Sequence, residues 1–167
     1  MSNETTASTG ETTPEETSAS DAGTTASDII PIGTNFILQD WSITVTKVQI
    51  LDSVSENQYM AFSPAEGSKY LLVTITAENK GKESQSFLPS FAMNDQITAK
   101  VLYGDGYEFT QTNLLGYSRE FSDTGINPLS SKEGDIAFEI PNSVAESSEP
   151  LSLAFSMGNE SATVALR

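Results

Sequence analysis

The sequence contains no cysteine and no histidine, and these two absences exclude several chemistries. Without cysteine the chain cannot form a disulfide, a thiolate zinc site or a redox motif, so the redox compartment is left open. Zinc and copper also lose their usual ligands. Both residue types are common acids, bases or nucleophiles, and no Gly-x-Ser-x-Gly or Ser-x-x-Lys motif replaces them. We therefore expect a protein that is not an enzyme and has no cofactor.

Basic residues are scarce as well. The chain has 8 lysines and arginines against 23 acidic residues, giving a formal net charge of -15, and every basic residue lies after residue 46. A phosphate backbone needs a footprint of lysine and arginine, so we expect no nucleic-acid partner.

No apolar run approaches the roughly 18 residues of a transmembrane helix. No signal peptide is present either.

Residues 1–28 contain no aromatic and no large aliphatic residue after Met1. This stretch is rich in threonine, serine and glutamate, and it cannot bury enough apolar surface to offset the entropy of ordering. We predict a disordered linker, which as a flexible coil would span roughly 30 Å. It is either a meaningless extension or a spacer that holds a domain away from a membrane or wall, and the composition favours the spacer. Residues 29–167 are long enough to form one domain.

Within residues 29–167, short segments of alternating apolar and polar residues are separated by turn residues. The clearest is 69–79, where every second residue is apolar, and 41–46 is similar until its phase shifts after Lys47, which predicts a β-bulge. Gly104-Asp105-Gly106 predicts a tight hairpin, while 53–69 is expected to be a polar connection. About eight or nine strands and no amphipathic helix predict an all-β antiparallel sandwich or barrel.

Aromatic residues supply the candidate binding residues. Tyr103 and Tyr107 flank the predicted hairpin, and Tyr117 precedes Arg119 in an irregular segment at 111–133. Loops that carry aromatic side chains and an arginine are typical recognition surfaces. The alternative is that these tyrosines cap the edge of the sandwich while the nearby phenylalanines enter the core. Trp41 alternates in phase with the apolar residues after it, and we expect it in the core.

Acidic residues in the loops raise the question of a calcium site. Asp105 with Glu108, and Asp123 near Glu120, could supply oxygen ligands. However, the chain lacks the Asp-x-Asp-x-Asp-Gly pattern of a calcium loop, and solvated acidic turns are the favoured interpretation. We therefore predict no metal site.

Several segments also carry a resemblance to a known family: Gly33, strand 41–48, segment 69–81 with its Asn-x-Gly ending, Asn127-Pro128, and 136–141. Through them the chain resembles immunoglobulin-like extracellular domains of unknown function from Gram-positive lipoproteins and secreted proteins. It is also distantly similar to the mycobacterial secreted immunoprotective antigen. The resemblance covers residues 30–167 and implies an immunoglobulin-like antiparallel β-sandwich without catalytic residues. One departure is Leu129, where the family usually has glycine after the proline.

In such lipoproteins a Ser/Thr-rich tail follows a lipid-modified cysteine. The resemblance thus implies that this chain starts just past that cysteine, with Met1 added by cloning, and that the protein is extracellular, tethered to the cell membrane or secreted. Any membrane contact would then pass through the missing lipid anchor.

Our leading functional hypothesis is a non-catalytic cell-surface binding or interaction module. Its partner would be a protein or glycan at the cell envelope, and the domain would be a monomer or weak dimer. This hypothesis predicts an exposed apolar or aromatic patch near an end of the sandwich. The alternative is a structural or stress-related envelope domain without a dedicated ligand, which predicts no such patch. An enzyme or calcium-dependent module is a weaker third hypothesis.

Overall fold

The computed structural model describes residues 28–167, so the predicted linker, residues 1–28, lies outside it except for Asp28. The described part contains twelve strands and one short helix. In chain order these are β1 (Asn35–Leu38), β2 (Trp41–Leu51), β3 (Val54–Asn57), β4 (Met60–Phe62), β5 (Ser68–Asn79), β6 (Gln85–Phe87), β7 (Thr98–Tyr103), β8 (Tyr107–Thr112), β9 (Thr124–Ile126), β10 (Ser131–Pro141), α1 (Asn142–Ala145), β11 (Leu151–Met157) and β12 (Glu160–Ala165).

Eight strands form the two layers of an antiparallel sandwich. These strands are hydrogen-bonded in one continuous order, β1-β2-β5-β10-β8-β7-β11-β12. We call β1-β2-β5-β10 the first sheet and β8-β7-β11-β12 the second sheet. They meet at one edge, where β10 pairs with β8 over only two residue pairs, Ala137 with Thr112 and Phe138 with Gln111. The predicted all-β class and antiparallel sandwich are confirmed. The predicted hairpin at 104–106 joins β7 to β8.

The main core lies between the two sheets because alternate residues of each strand face inward. On β5 these are Leu71, Val73 and Ile75, which are fully buried. Trp41 is 1 % exposed, as predicted, and its ring meets that of Phe87 at a centroid distance of 5.1 Å. Burial of side chains of this size contributes about 1.5–3 kcal/mol each.

A bulge in β2 confirms the predicted change of phase. The pairing of β2 with β5 shifts between Val45 and Lys47. Val45 is buried, Thr46 and Lys47 are both exposed, and Val48 packs against the core again. The extra residue thus places two consecutive side chains on the solvent side of the first sheet, which one regular strand cannot do.

The solvent side of the first sheet is partly covered by a second layer, and here the sequence prediction was wrong. Segment 53–69 is not only a polar connection, because it contains the hairpin β3–β4. Val54 of this hairpin is buried in a second apolar cluster with Tyr70, Leu72 and Leu114. We call the hairpin and the loop 113–123 together the cover. It explains why residues 70–73 are apolar without interruption: β5 is buried on both faces.

The Asn-x-Gly turn after β5 is held by a buried asparagine. The side chain of Asn79 accepts a hydrogen bond from the backbone of Gly81 and donates to the carbonyl oxygens of Glu83 and Ile126, at 2.7–2.9 Å. A short asparagine side chain can close such a turn locally. The following chain forms β6, which pairs with β9 in a small separate ladder. Among the described residues no helix is long and apolar enough for a membrane span.

Candidate functional site

The four predicted binding residues lie in two separate places. Tyr103 and Tyr107 face each other at the ends of β7 and β8. Tyr117 and Arg119 lie in the cover, beside the first sheet. The two pairs line different grooves that share no residue. The structure therefore places the four candidate residues on two separate surfaces.

The first pair consists of one anchored and one exposed tyrosine. The rings of Tyr103 and Tyr107 are 6.2 Å apart. The hydroxyl of Tyr103 lies 3.0 Å from the hydroxyl of Ser147, which ties the hairpin to the chain after α1. Tyr107 is 67 % exposed. Tyr103 therefore fits the alternative in which tyrosines cap the sandwich, and only Tyr107 presents a free ring.

The second pair belongs to a hydrogen-bonded cluster centred on a buried carboxylate. Asp135 of β10 is 4 % exposed. It accepts hydrogen bonds from the hydroxyl of Thr74 at 2.7 Å, the hydroxyl of Tyr117 at 2.7 Å and Nε of Arg119 at 2.9 Å. The backbone N–H of Asp135 also donates to the carbonyl oxygen of Arg119 at 2.7 Å. A buried charge is tolerated when it is paired and hydrogen-bonded in this way.

The cluster carries fixed charges at neutral pH. Burial by itself raises the pKa of Asp135, but the hydrogen bonds from Arg119, Thr74 and Tyr117 outweigh it and hold that pKa below its ordinary value. Hydrogen bonds to Asp135 and Glu133 raise the pKa of Arg119. Burial, and then the hydrogen bond to Asp135, raise the pKa of Tyr117 to about 12. Asp135 is thus anionic, Arg119 cationic and Tyr117 neutral, an arrangement that orients groups without transferring a proton.

A polar groove of about 500 Å³ lies beside the cluster. The β2 bulge supplies Thr46 and Lys47 to it, and Gln49 follows on the same strand. Arg119 closes the opposite side and forms an ion pair with Glu133 at 3.2 Å. Within the part of the chain that the structure describes, Lys47 has no carboxylate at ion-pair distance. The groove therefore offers side-chain donors and hydroxyls to a polar ligand.

Three large side chains of the cover are exposed. Tyr59 is 89 % exposed, Met60 43 % and Leu115 85 %. A Cβ added at Gly116 would lie 3.7 Å from the sulfur of Met60, so the hairpin tip and the loop are in contact. We call Tyr59, Met60 and Leu115 the apolar patch. The ring of Tyr117, which lines the groove, packs edge-on against Phe62 of the same hairpin at 6.3 Å, so the patch and the groove belong to one structural unit.

The acidic loop residues have other partners than a metal. Glu108 forms an ion pair with Lys100 at 2.9 Å. Asp123 accepts hydrogen bonds from the hydroxyl and then the backbone N–H of Ser90, which lower the pKa of Asp123. Glu120 accepts hydrogen bonds from its own loop. In residues 28–167 no three side chains of the metal-binding types come together in a geometry that could hold an ion.

Comparison with protein-family models identifies the domain. The model described as "Domain of unknown function (DUF4352)" matches residues 30–160. This chain belongs to that family. The comparison with curated proteins finds no match.

Solved structures show what this DUF4352 domain resembles. An uncharacterized β-sandwich protein from Clostridium difficile is similar with a TM-score of 0.62 and 18 % identity, over 88 % of this chain and 100 % of that one. A Bacillus subtilis protein named as a "putative lipoprotein" has a TM-score of 0.54 and 17 % identity, over 80 % and 38 %. The secreted protein MPT63 from Mycobacterium tuberculosis has a TM-score of 0.53 and 15 % identity, over 82 % and 95 %.

At these identities the structural likeness concerns the fold alone. It supports the β-sandwich, which the strand pairing shows independently. The immunoglobulin-like character and the lipoprotein context stay predictions of the resemblance.

Sequence reasoning overlooked most of the DUF4352 domain's candidate site. Lys47 was noticed only as the point where the strand phase shifts, although a bulge is also a common way to aim a side chain. Leu115 follows Leu114, and nothing in that pair indicates which leucine is buried; Leu114 is 2 % exposed and Leu115 85 %. Tyr59 and Met60 stood out as large apolar residues in a polar segment, which was the one available indication of the patch.

Proposed function

We propose that this DUF4352 domain is a non-catalytic interaction module that works outside the cell, tethered to the envelope or secreted. The observation that carries the proposal is the apolar patch, where Tyr59 and Leu115 are more than four-fifths exposed. Burying such side chains is favourable, so a cluster of them beside a polar groove is typical of an interaction site. A domain that serves only as structure has no need to expose them together.

The location outside the cell is supported by three observations of different kinds. The net charge of -15 favours a well-solvated surface that avoids non-specific contacts. Residues 1–28 have the composition of a spacer. Proteins that share the fold include one named as a lipoprotein and one named as secreted.

The absence of catalysis is supported by the state of the titratable groups. The pKa of Asp135 lies below its ordinary value and that of Tyr117 lies at about 12, so neither group is poised to exchange a proton near neutral pH. The carboxylate instead fixes the position of Arg119 at the edge of the groove.

The chemistry of the site favours a partner with both apolar and polar groups at the cell envelope. The groove provides donors from Lys47, Gln49 and Arg119, which suit the hydroxyl or carboxylate groups of a glycan or peptide. The patch provides apolar area for a protein surface or for the apolar face of a sugar ring. Cell-wall glycan fragments and envelope proteins are therefore the two ligand classes to compare.

For the glycan class, backbone amide NMR spectra of the full chain would be recorded with and without purified cell-wall glycan fragments. We expect shifts that cluster on 46–49, 59–60 and 115–119. Leu115→Ser should weaken these shifts, whereas the matched Leu129→Ser, at a residue that is 77 % exposed elsewhere, should not.

For the protein class, a photo-crosslinking residue would replace Leu115 in the protein displayed on cells, with the same residue at position 129 as control. We expect a defined cross-linked band for position 115 only. If the spectra do not change and neither position cross-links specifically, the domain is a structural envelope module and the proposal is wrong.

A further inference from the structure

A second cleft lies at the other sheet. It is formed between the chain at 88–97 and the strands β7 and β8, and its volume is about 230 Å³. Half of its lining residues are apolar, namely Leu88, Pro89, Ala92, Ile97 and Ala99, and the other half are polar and include Lys100 and Gln111. It shares no lining residue with the polar groove.

The wall of the cleft is held in place by hydrogen bonds. Ser90 donates its backbone N–H to the carboxylate of Asp123 at 2.8 Å, and the backbone N–H of Asp123 donates to the carbonyl oxygen of Leu88 at 3.1 Å. Further along, Met93 donates its N–H to Oε1 of Gln96 at 2.9 Å. The first bonds fix the start of the segment to Asp123 and the last one closes a turn within it, so part of the cleft wall is preformed, as binding sites commonly are.

One polar group that lines the cleft lacks a partner. Oε1 of Gln111 is buried and has no hydrogen bond. Among the described residues Oδ1 of Asn142 is likewise buried and without a hydrogen bond. A buried carbonyl oxygen without a donor destabilises a fold, and such a group calls for an explanation. The terminal torsion of glutamine is broad, so this amide can turn its oxygen toward a ligand without leaving its rotamer.

The rim of the cleft carries two exposed apolar side chains. Ser90 and Ala92 line the cleft, whereas their neighbours Phe91 and Met93 point away and are 94 % and 79 % exposed. A small ligand inside the cleft would leave both of them in water. A larger partner would cover them, and methionine and aromatic residues are typical of surfaces that contact a protein.

We propose that this cleft binds an aromatic anchor side chain with one hydrogen-bond donor, a tryptophan or tyrosine, presented by a partner protein. The apolar walls accept the ring, Oε1 of Gln111 accepts the N–H or O–H, and Phe91 and Met93 contact the residues that flank the anchor. Interfaces concentrate their affinity in such buried aromatic anchors. This cleft is separate from the polar groove and the apolar patch, so a failure of this proposal would not contradict the function proposed above.

The test uses the full chain and two isosteric probes followed by backbone amide NMR. N-acetyl-tryptophanamide has the indole N–H, and the corresponding benzothienylalanine amide replaces it with sulfur. We expect shifts centred on 88–99 and 110–111 for both, and about tenfold tighter binding of the tryptophan probe, because one buried hydrogen bond differs between them. In Gln111→Leu, which removes the acceptor and keeps the strand, the two probes should bind alike.

The contribution of the rim is tested with the peptide acetyl-Leu-Trp-Leu-amide. We expect it to bind more tightly than the single tryptophan probe, and we expect Phe91→Ser with Met93→Ser to abolish that gain while leaving the single probe unaffected. Equal affinity of the two isosteric probes for the unmodified protein would overturn the proposal. So would shifts confined to other residues, or the absence of shifts at 88–99 with millimolar probe.

Discussion

A buried aspartate is the most unusual single residue of this domain. Asp135 begins the well-alternating part of β10, and its side chain ends up 4 % exposed, facing the cover instead of water. An unpaired charge there would not be tolerated, but Thr74, Tyr117 and Arg119 each donate to it. The carboxylate therefore joins β5, β10 and the cover, and it fixes the arginine that borders the groove.

Replacing this aspartate should destabilise the fold strongly. We expect Asp135→Ala to lower the free energy of unfolding by about 3 kcal/mol, because three donors lose their acceptor and Arg119 loses its buried partner. Urea unfolding measures the change. Glu133→Gln is the control: it touches the same Arg119, but its side chain is 50 % exposed, and it should cost less than about 1 kcal/mol. Equal losses of unfolding free energy in the two variants would show that the burial of Asp135 does not contribute to stability.

The stability of the unmodified protein and that of Asp135→Ala should respond differently to acid. The pKa of Asp135 is lowered in the folded state, so its stabilisation is present above the unfolded pKa of about 3.9 and is lost as pH falls through the folded value. The difference in unfolding free energy between the unmodified protein and Asp135→Ala should thus be constant near neutral pH and shrink below about pH 4. If the difference in unfolding free energy between the two proteins stayed constant into strong acid, folding would not lower the pKa of Asp135.

Leu129 shows how a departure from the family pattern is accommodated. It occupies the position where the resemblance expects glycine, and its φ is 57°, in the left-handed region that glycine adopts without strain. Its backbone N–H donates to the carbonyl oxygen of Asn79 at 2.7 Å, which keeps the turn closed in spite of the strain. The side chain is 77 % exposed and contributes little packing.

Restoring the glycine should therefore stabilise the domain. We expect Leu129→Gly to raise the free energy of unfolding by about 0.5–1 kcal/mol, the relief of left-handed strain exceeding the entropy that glycine adds to the unfolded chain. Leu129→Ala keeps a Cβ and should give no gain. Thermal and urea unfolding measure the stability of the unmodified protein and the two variants. A loss of stability in Leu129→Gly would show that the backbone of Leu129 is not strained.

At the scale of elements, the contact between β10 and the cover depends on a glycine. A Cβ added at Gly134 would lie 2.8 Å from the side chain of Phe121, closer than real atoms approach. Phe121 itself is 2 % exposed, and its backbone N–H donates to the backbone carbonyl oxygen of Asp135 at 2.9 Å. A glycine within a strand often marks such a close approach by another element.

Two strand glycines give a matched test of this packing. We expect Gly134→Ala to cost about 2 kcal/mol, because Phe121 or the strand has to move. Gly125→Ala in β9 meets no atom within 4 Å and should change stability by less than about 0.5 kcal/mol. Urea unfolding compares the two. Similar losses in both variants would point to strand geometry and not to the contact with Phe121.

Elements with strong alternation were predictable, and the cover was not. Strand β5 and the first half of β2 were predicted from their period-two patterns because one face of each enters the main core. The hairpin β3–β4 offers only Val54 and Phe62 to a small second cluster, so its sequence is mostly polar. Likewise, Phe91-Ala92-Met93 resembles a strand fragment but forms a turn with exposed side chains. Local pattern cannot show which of two apolar clusters a segment joins.

At the scale of the whole molecule, backbone hydrogen bonds pair strand edges on two sides of the sandwich. On one side β8 joins β10 over two residue pairs. On the other, Ile30 bridges to Val164 of β12; its backbone N–H donates to Thr163 at 2.8 Å and its carbonyl oxygen accepts from Ala165 at 2.9 Å. Unpaired strand edges invite association with other chains, and these bridges limit that hazard.

The hydrogen bonds of Ile30 indicate that the folded domain begins near this residue. We expect deletion of residues 2–27 to leave the urea unfolding curve unchanged, because the composition of this stretch offers no large apolar side chain to a core. Deletion of 2–33 also removes Ile30, with two hydrogen bonds and a side chain packed against the core, and should cost about 2 kcal/mol. A loss from the shorter deletion would mean that the predicted linker supports the fold.

The sequence by itself determined the all-β class, the bulge in β2, the buried Trp41 and the scarcity of groups for catalysis, because periodicity and residue type are local properties. Tertiary structure alone decided the strand order, the cover and the two proposed binding surfaces. Tyr117 and Arg119 are near each other in sequence, yet their partner Asp135 and the groove residue Lys47 come from distant strands. Gln111 and Ala92 likewise line one cleft only because the chain at 88–97 lies against β7 and β8. Such juxtapositions arise from long-range pairing, which no local pattern records.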